Sequence, residues 1–248
     1  GDAEADPKAL IQFFKGSEAQ IFFEKLKKGE IKVSYKPQQV DLLSKSAKGT
    51  VSHLLKKVDE KNELDRIAEL LELKQILNTD ISQISGGELQ RVAIAATVLK
   101  KANVYIFDEP TSFLDIKQRI KIAEFIKTLA NETTAVMVVE HDHLVLDNMA
   151  DLIHLMYGKT ACYGVVSLPK TARVGLNMYL EGFIRDENMR FRDYNIKFSP
   201  RPPLKSQKVA ELTSWKDIMK KLGQFLLEAK AGVLHKSLTL GVLGENGI

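Results

Sequence analysis

The apolar and polar positions change period several times along the chain, and each change marks an element. Over residues 7–28 two short amphipathic stretches, PKALIQFF and EAQIFFEKLKK, are separated by Lys15-Gly16-Ser17. This predicts a helical hairpin. Ser17 with Gln20 three residues on has the form of a capping box for the second helix, and Gly29 ends it. IKVSYK at 31–36 reads as a strand stopped by Pro37. Residues 50–77 place leucines at helical spacing among many charges, which predicts a surface-facing helical block. SGGELQRVAIAATVLKKA at 85–102 is a strong helix pattern running to Lys100 and Lys101.

NVYIFDE at 103–109 follows as a continuous apolar run, typical of a strand buried on both faces. IKIAEFIKTLA returns to the helical period, with Ile122, Phe125, Ile126 and Leu129 on one face. TAVMVVEH at 134–141 reads as a second buried strand, DHLVLDNMA as a short helix and DLIHLMYG at 151–158 as a third strand. Strand, helix, strand, helix, strand is the order of an α/β fold with a parallel sheet. After Pro169 the periodicity fades. KTARVGLNMYLEGFIRDENMRFRD at 170–193 reads as an irregular, arginine-rich connector, and NIKFSPRPP as an exposed strand and turn. A new unit is expected from about Leu204, ending in the strand-like SLTLGVLGENGI.

Composition narrows the class. With 248 residues, 44% hydrophobic and 27% charged, the chain has the make-up of globular protein with one large or two modest domains. The net charge of +4 is too mild to identify an acidic partner by itself. The single cysteine, Cys162, rules out an internal disulfide or a cysteine-built metal cluster within the chain, and is expected as a small, half-buried core residue. No apolar run is long enough for a membrane helix, and the polar, acidic start GDAEADPKAL does not read as a signal peptide. A reducing, cytoplasmic setting is expected.

Candidate chemistry sits where elements meet. Ser85 as N-cap with Glu88 three residues on completes a capping box. Gly86 and Gly87 need another reason, because bare backbone in a first turn lets its free N–H groups approach an anion closely. Taken alone, Ser-Gly-Gly-Glu reads equally as a cap or as a phosphate site. Asp108 and Glu109 lie at the C-terminal end of a strongly apolar strand, the edge where open α/β sheets bind ligands. An Asp there can hold Mg²⁺, and a Glu beside it can orient a water. His141 ends the next strand and can reach a terminal phosphate. Gln38 follows the strand at 31–36, with Gln39 beside it as an equal choice.

In this order, these pieces resemble the ATP-binding cassette (ABC) ATPases. Gln38 stands at the Q-loop, SGGEL at 85–89 at the signature, VYIFDE at the Walker B strand, SFLD at 112–115 at the D-loop and His141 at the H-loop. The resemblance implies an α/β fold of the ABC-type P-loop NTPase kind, with a parallel sheet and a helical subdomain, and ATP and Mg²⁺ as cofactors. It makes Glu109 and His141 catalytic and puts Asp108 and Gln38 at the metal. Ser85, Gly86, Gly87, Glu88 and Asp115 would meet nucleotide. Two cassettes face each other in that family, so the signature would close over ATP held by the partner cassette. A phosphate loop has the pattern G-x-x-x-x-G-K-[ST]. The Gly158-Lys159-Thr160 triplet does not meet it, because Ile153 stands where its first glycine should be. GENGI at 244–248 supplies the first five positions, so Gly244, Asn246 and Gly247 are expected to open a phosphate loop.

The tract YGVVSLPKTARVGLNMYLEGFIRDENMRFRD resembles the hinge of the class E, non-transporting ABC proteins, the RNase L inhibitor family of ribosome-recycling twin-cassette ATPases. That resemblance implies a first cassette over 1–168 lacking its own phosphate loop, with an inserted hairpin at about 7–28 and a helical signature subdomain at about 40–100. A hinge over 169–203 and the opening of a second cassette over 204–248 follow. It also implies the small ribosomal subunit and its rRNA as partners, with a release factor-type protein and no membrane. The family's iron–sulfur clusters belong to an N-terminal domain that this chain, with one cysteine, does not carry. Trp215 falls where the family places an adenine-stacking aromatic, although a core tryptophan is an equal reading. Lys25, Lys27 and Lys28 on the hairpin either meet RNA phosphates or form a solvated face. Arg190 and Arg192 sit among Tyr179, Phe183 and Phe191, where they either reach rRNA or hold the cassettes together. Two other classes stay open on these residues: the ATPase subunit of a transporter, and a non-catalytic nucleotide- or ribosome-binding module.

Overall fold

Three of the apolar runs pair in the computed structural model as a parallel sheet, in the order β1 (Val33–Lys36), β2 (Val104–Asp108) and β3 (Ala135–Val139). The register sets Val33 opposite Val104 and Asp108 opposite Val139, so the C-terminal ends of all three strands share one edge. The structure describes residues 7–42, 47–197, 210–223, 225–242 and 244. These form two compact units, one reaching Asn195 and one within Ile196–Gly244.

The hairpin forms as α1 (Pro7–Phe13) and α2 (Glu18–Lys27), joined by the Phe14–Phe23 ring stack at 5.4 Å. Its cap differs from the expected box. The Ser17 hydroxyl donates back to the Phe14 carbonyl at 2.7 Å, and Gln20 Oε1 accepts from Gly16 N at 2.7 Å. A hydroxyl that bonds backwards has no lone pair aimed at the helix, so Ser17 caps by backbone conformation alone.

Residues 50–77 are not a surface block. They break into α3 (Val51–Val58) and α4 (Leu64–Leu70), because the Asp59 carboxylate accepts from the backbone amides of Glu63 at 3.1 Å and Leu64 at 3.0 Å. Their leucine stripe turns inward: Val51, Leu55, Ile67, Leu71 and Leu73 are buried in the main core. There they meet Val92, Ala95 and Val98 of α5 (Gly86–Val98), Tyr105 and Phe107 of β2, and Ile122 and Ile126 of α6 (Ile116–Lys127). Each such aliphatic side chain stabilises the fold by about 1.5–3 kcal/mol relative to exposure, which outweighs the charges flanking the stripe. Helix α5 ends at Val98, two residues before the expected lysines.

The sheet is covered on one side only among the described residues. Tyr105 and Phe107 of β2 are buried, but Val33 and Tyr35 of β1 and Met137 and Val139 of β3 are exposed, so β3 is not the strand buried on both faces that its sequence predicts. The third apolar run also departs. After α7 (His143–Met149) it splits into β4 (Leu152–Ile153) and β5 (Met156–Lys159), outside the parallel sheet. Strand β5 pairs antiparallel with β6 (Tyr163–Val166), and β4 with β7 (Lys170–Thr171). His154 interrupts the run by bonding to the Ser167 carbonyl at 2.9 Å, and a nearby hairpin partner is cheaper to reach than a distant parallel one. Cys162 lies in that hairpin turn and is exposed, not part of a core.

The connector is regular. Lys170–Thr171 leads into α8 (Ala172–Glu181), then β8 (Phe183–Ile184) pairs with β9 (Met189–Arg190). Met178 and Ile184 pack with Ile153 and Leu155 in a separate small core. The second unit contains β10 (Glu211–Trp215) paired with β13 (Gly232–His235), and β11 (Ile218–Leu222) paired with β12 (Phe225–Ala229). Residues 237–242 carry no strand, contrary to the reading of SLTLGV. No helix among the described residues is long and apolar enough to cross a membrane.

Candidate active site

Helix α5 begins as the sequence dictates. The Ser85 hydroxyl accepts from Glu88 N at 3.3 Å, and Glu88 Oε2 accepts from Ser85 N at 2.8 Å, closing the capping box. Among the described residues no acceptor takes the Gly86 and Gly87 amides, so both N–H groups of this first turn are open to solvent or to a ligand. The open pocket in front of them is lined by Ser85, Gly86, Gly87, Glu88, Arg91, Phe113 and Gln118. The glycines answer to packing as well. A Cβ on Gly87 would stand 3.1 Å from the Phe113 carbonyl oxygen, tighter than an ordinary contact. Bare backbone at this turn makes room for the loop that lies over it and leaves a surface that an anion can approach closely.

That loop leaves β2 under strain. Glu109 and Phe113 both hold left-handed φ angles, +46° and +65°. Such a backbone costs about 1–3 kcal/mol per non-glycine residue unless its surroundings fix it. The Glu109 amide donates to the Val139 carbonyl at 2.9 Å, one step beyond the sheet register. Its carboxylate is gathered from three directions. Gln38 Nε2 donates to Oε1 at 2.7 Å, Ser112 Oγ donates to Oε2 at 3.1 Å, and His141 Nε2 lies 3.3 Å from Oε1. Three residues far from one another in sequence thus meet on one carboxylate. Asp108 accepts from the Tyr35 hydroxyl at 3.1 Å. Burial first, then the bond to and charge of Asp108, raise the Tyr35 phenol above its ordinary value. Gln38 is committed to Glu109 through its nitrogen, which leaves only its side-chain oxygen for a metal. Asp108 and that oxygen are hard donors of the kind that hold Mg²⁺ together with phosphate oxygens.

Several residues that shape this edge are not evident from the motifs. Lys36 is fully buried at the inward end of β1, and Nζ donates to the carbonyls of Asp108 at 2.8 Å and Glu109 at 3.1 Å. Burial lowers its ammonium to about 8, against the pull of Asp108, Glu140 and Glu109. Gln90, also fully buried, donates from Nε2 to the Glu109 carbonyl at 2.6 Å. Glu140 Oε1 takes both the Thr111 amide at 3.0 Å and its hydroxyl at 2.6 Å. A signal for two of them was present: Lys36 falls on the inward parity of a strand, and Gln90 stands among Leu89, Val92 and Ala93 on a buried helix face.

Asp115 is the N-cap of α6, accepting from Gln118 N at 2.9 Å. In the same helix Arg119 donates to the Leu114 carbonyl at 2.8 Å and to Asp142 Oδ2 at 2.8 Å. This joins the loop before α6 to the residue after His141. Partial burial pushes the Asp142 carboxyl up, but bonds from Arg119 and from the Val145 and Leu144 amides outweigh it and hold the group below its ordinary value.

The remaining candidates lie elsewhere. Lys25, Lys27 and Lys28 are exposed at the end of the hairpin. Arg190 is exposed with its guanidinium 5.1 Å from the Phe183 ring centroid. Arg192 clasps the connector: it donates to the carbonyls of Tyr179, Leu180 and Tyr194 and lies over the rings of Tyr179, Phe191 and Tyr194. In the second unit Trp215 donates from Nε1 to the Lys230 carbonyl at 2.9 Å, with its ring against Gly232. Gly244 is exposed, and Asn246 and Gly247 lie outside the described residues.

Known proteins resemble this arrangement closely. A family model described as "ABC transporter" matches residues 8–112. An ABC transporter ATP-binding protein of Methanocaldococcus jannaschii is 49% identical over 247 residues, covering 100% of this chain and 40% of that protein. The ABC transporter E family member 1 of Arabidopsis thaliana is 41% identical, covering 98% of this chain and 41% of its own. Among solved structures, the archaeal ribosome recycling factor aABCE1, in complex with the ribosomal stalk protein aP1, superposes with a TM-score of 0.86 at 45% identity, over 99% of this chain and 47% of that one. A model of ribosome-bound archaeal Pelota and ABCE1 gives a TM-score of 0.89 at 47% identity, over 99% of this chain and 41% of that one. The chain thus spans about two fifths of the length of the curated relatives it matches. Its fold is that of the ABC-type P-loop NTPases, and the chain belongs to the class E ABC proteins, the RNase L inhibitor family.

Proposed function

We propose that this chain works within a twin-cassette ATPase that splits and recycles ribosomes, with hydrolysis at sites shared between two cassettes. The observation that carries the reading is the convergence of Gln38, Ser112 and His141 on the Glu109 carboxylate at the sheet edge. In this reading Glu109 orients the attacking water and His141 reaches the terminal phosphate. Asp108 and the Gln38 oxygen hold Mg²⁺, which when bound neutralises charge on the transferring phosphoryl group. Ser85, Gly86, Gly87 and Glu88, with Asp115 beside them, close on the nucleotide carried by the opposing cassette. Gly244, Asn246 and Gly247 begin the phosphate loop of the second cassette, with Trp215 toward the base.

The partners in this reading are the small ribosomal subunit and its rRNA, met by Lys25, Lys27, Lys28 and Arg190, and a release factor-type protein. Arg192 serves the hinge. Support comes from the solved relatives, whose descriptions place them with a ribosomal stalk protein and with Pelota on the ribosome. The setting is the cytoplasm, and the family's iron–sulfur clusters lie in a domain outside these residues. The test uses the full-length protein. Glu109→Gln is expected to bind ATP as the wild type does and to hydrolyse it about 10²–10³-fold more slowly, the scale of losing one preorganised catalytic group. Unchanged turnover in Glu109→Gln overturns the catalytic assignment. ATP hydrolysis with no separation of ribosomal subunits in sucrose gradients overturns the substrate.

A further inference from the structure

We propose that Lys36 is a positioning residue for Glu109, fixing from inside the protein the turn that carries the carboxylate; this rests on Glu109 orienting the attacking water as set out above. The inward face of β1 carries Ser34 and Lys36, both buried. Ser34 spends its hydroxyl on the Thr97 carbonyl at 2.8 Å. Lys36 reaches the turn after β2 and donates to two successive carbonyls, Asp108 at 2.8 Å and Glu109 at 3.1 Å. The second of these oxygens also takes Gln90 Nε2 at 2.6 Å. One carbonyl is therefore held by two donors from two elements, β1 and the signature helix α5.

The turn needs such a hold. Glu109 sits at φ +46°, a conformation that a non-glycine residue leaves when nothing fixes it. Relaxing to negative φ rotates the peptide that joins Asp108 to Glu109. It swings the carboxylate away from Gln38, Ser112 and His141. Donors on the flanking carbonyls oppose that rotation directly. Volume alone does not account for a lysine, because an apolar side chain fills the same space without desolvating an ammonium. The ammonium is spent on two successive backbone oxygens of the turn.

The experiment measures ATP hydrolysis, ATP binding and melting temperature for full-length wild type, Lys36→Met, Lys36→Gln and Glu109→Gln. Lys36→Met is expected to lower kcat at least tenfold, with KM for ATP within threefold and a folded protein. Lys36→Gln, which restores a neutral donor, is expected to recover part of the loss. If Lys36→Met does not fold, Lys36→Gln carries the expectation, with kcat reduced at least threefold at unchanged KM. A folded variant with wild-type kcat, or one with raised KM and wild-type kcat, overturns the inference while a slow Glu109→Gln leaves the functional reading standing. A Glu109→Gln protein with wild-type turnover overturns both.

Discussion

Gln90, one turn into α5, donates its side-chain amide to the backbone carbonyl of Glu109 at 2.6 Å, which ties the signature helix to the end of β2. The partner oxygen of the same amide, Oε1, is buried without a hydrogen bond among the described residues. Replacement by leucine removes one bond and one orphan together, and Lys36 still serves the Glu109 carbonyl. Gln90→Leu should therefore change stability by less than about 1 kcal/mol, since exchanging a half-satisfied polar group for an apolar one of similar shape is nearly neutral. ATP hydrolysis by the full-length variant should slow about tenfold, the factor for 1.4 kcal/mol of lost positioning. A large fall in denaturation midpoint with normal turnover would show that the contact is structural.

Ser85 is tested first as the cap of α5. Ser85→Ala deletes the acceptor for Glu88 N and leaves Gly86 and Gly87 untouched. The loss should be about 1 kcal/mol in urea denaturation, the usual cost of an N-cap deletion. Gly87→Asp differs. Its new Cβ crowds the Phe113 carbonyl, so the melting temperature should drop along with any loss of nucleotide-driven closure. A Gly87→Asp protein as stable as wild type would mean that the loop over the helix moves freely.

The candidate edge was legible because its polar residues stand at breaks in period. Asp108 ends an apolar strand with Glu109 directly after it, His141 follows the end of the next strand by two residues, and Ser85 caps a helix. What stayed hidden was packing. The leucines of 50–77 looked solvent-facing because charges alternate with them, and the break at Asp59 lets two short helices turn their stripe inward against the core. Lys36 and Gln90 read as surface residues by type and are buried by position. The connector looked irregular because arginines interrupt its apolar spacing, yet α8 forms and Arg192 folds back over its end. Side chains that bond to backbone, as Arg192 and Asp59 do, leave no periodic trace.

Gly182 fixes the end of α8 in a left-handed conformation at φ +73°. A Cβ there would stand 2.7 Å from the Arg192 carbonyl oxygen and 2.9 Å from Arg192 Cβ. Gly182→Ala combines that clash with left-handed strain and should cost about 1–3 kcal/mol. Hydrogen exchange should report the loss in α8 and in the β8–β9 ribbon before the main core. Uniform loss of protection across the core would contradict a defect confined to the connector.

Lys170 is nearly buried where β7 meets the connector, and its ammonium lies 2.8 Å from Asp186 and 3.5 Å from Glu187. The bond from Lys170 holds the Asp186 carboxyl below its ordinary value of 3.8, and the bond to Asp186 lifts the Lys170 ammonium above 10.5. A carboxyl with a depressed folded value contributes stability that is fully present above 3.8 and fades as pH falls through the lower, folded value. The ammonium contributes below 10.5 and loses its share as pH rises through its raised value. The pair therefore stabilises the connector across the whole range between, with no change near neutrality. Asp186→Asn should be less stable than wild type at pH 7, and the gap should narrow in acid as the wild-type carboxyl takes up its proton. Glu187 still faces Lys170 in the variant, so the gap should be smaller than that of Lys170→Met, which removes the cation from both acids. The measurement is the denaturation midpoint of both variants and wild type from about pH 2 to pH 9, the span over which a carboxyl titrates and a lysine stays charged. A gap for Asp186→Asn that stays constant down to the acid limit would show that Asp186 acts through shape or a neutral hydrogen bond, and not through its charge on Lys170.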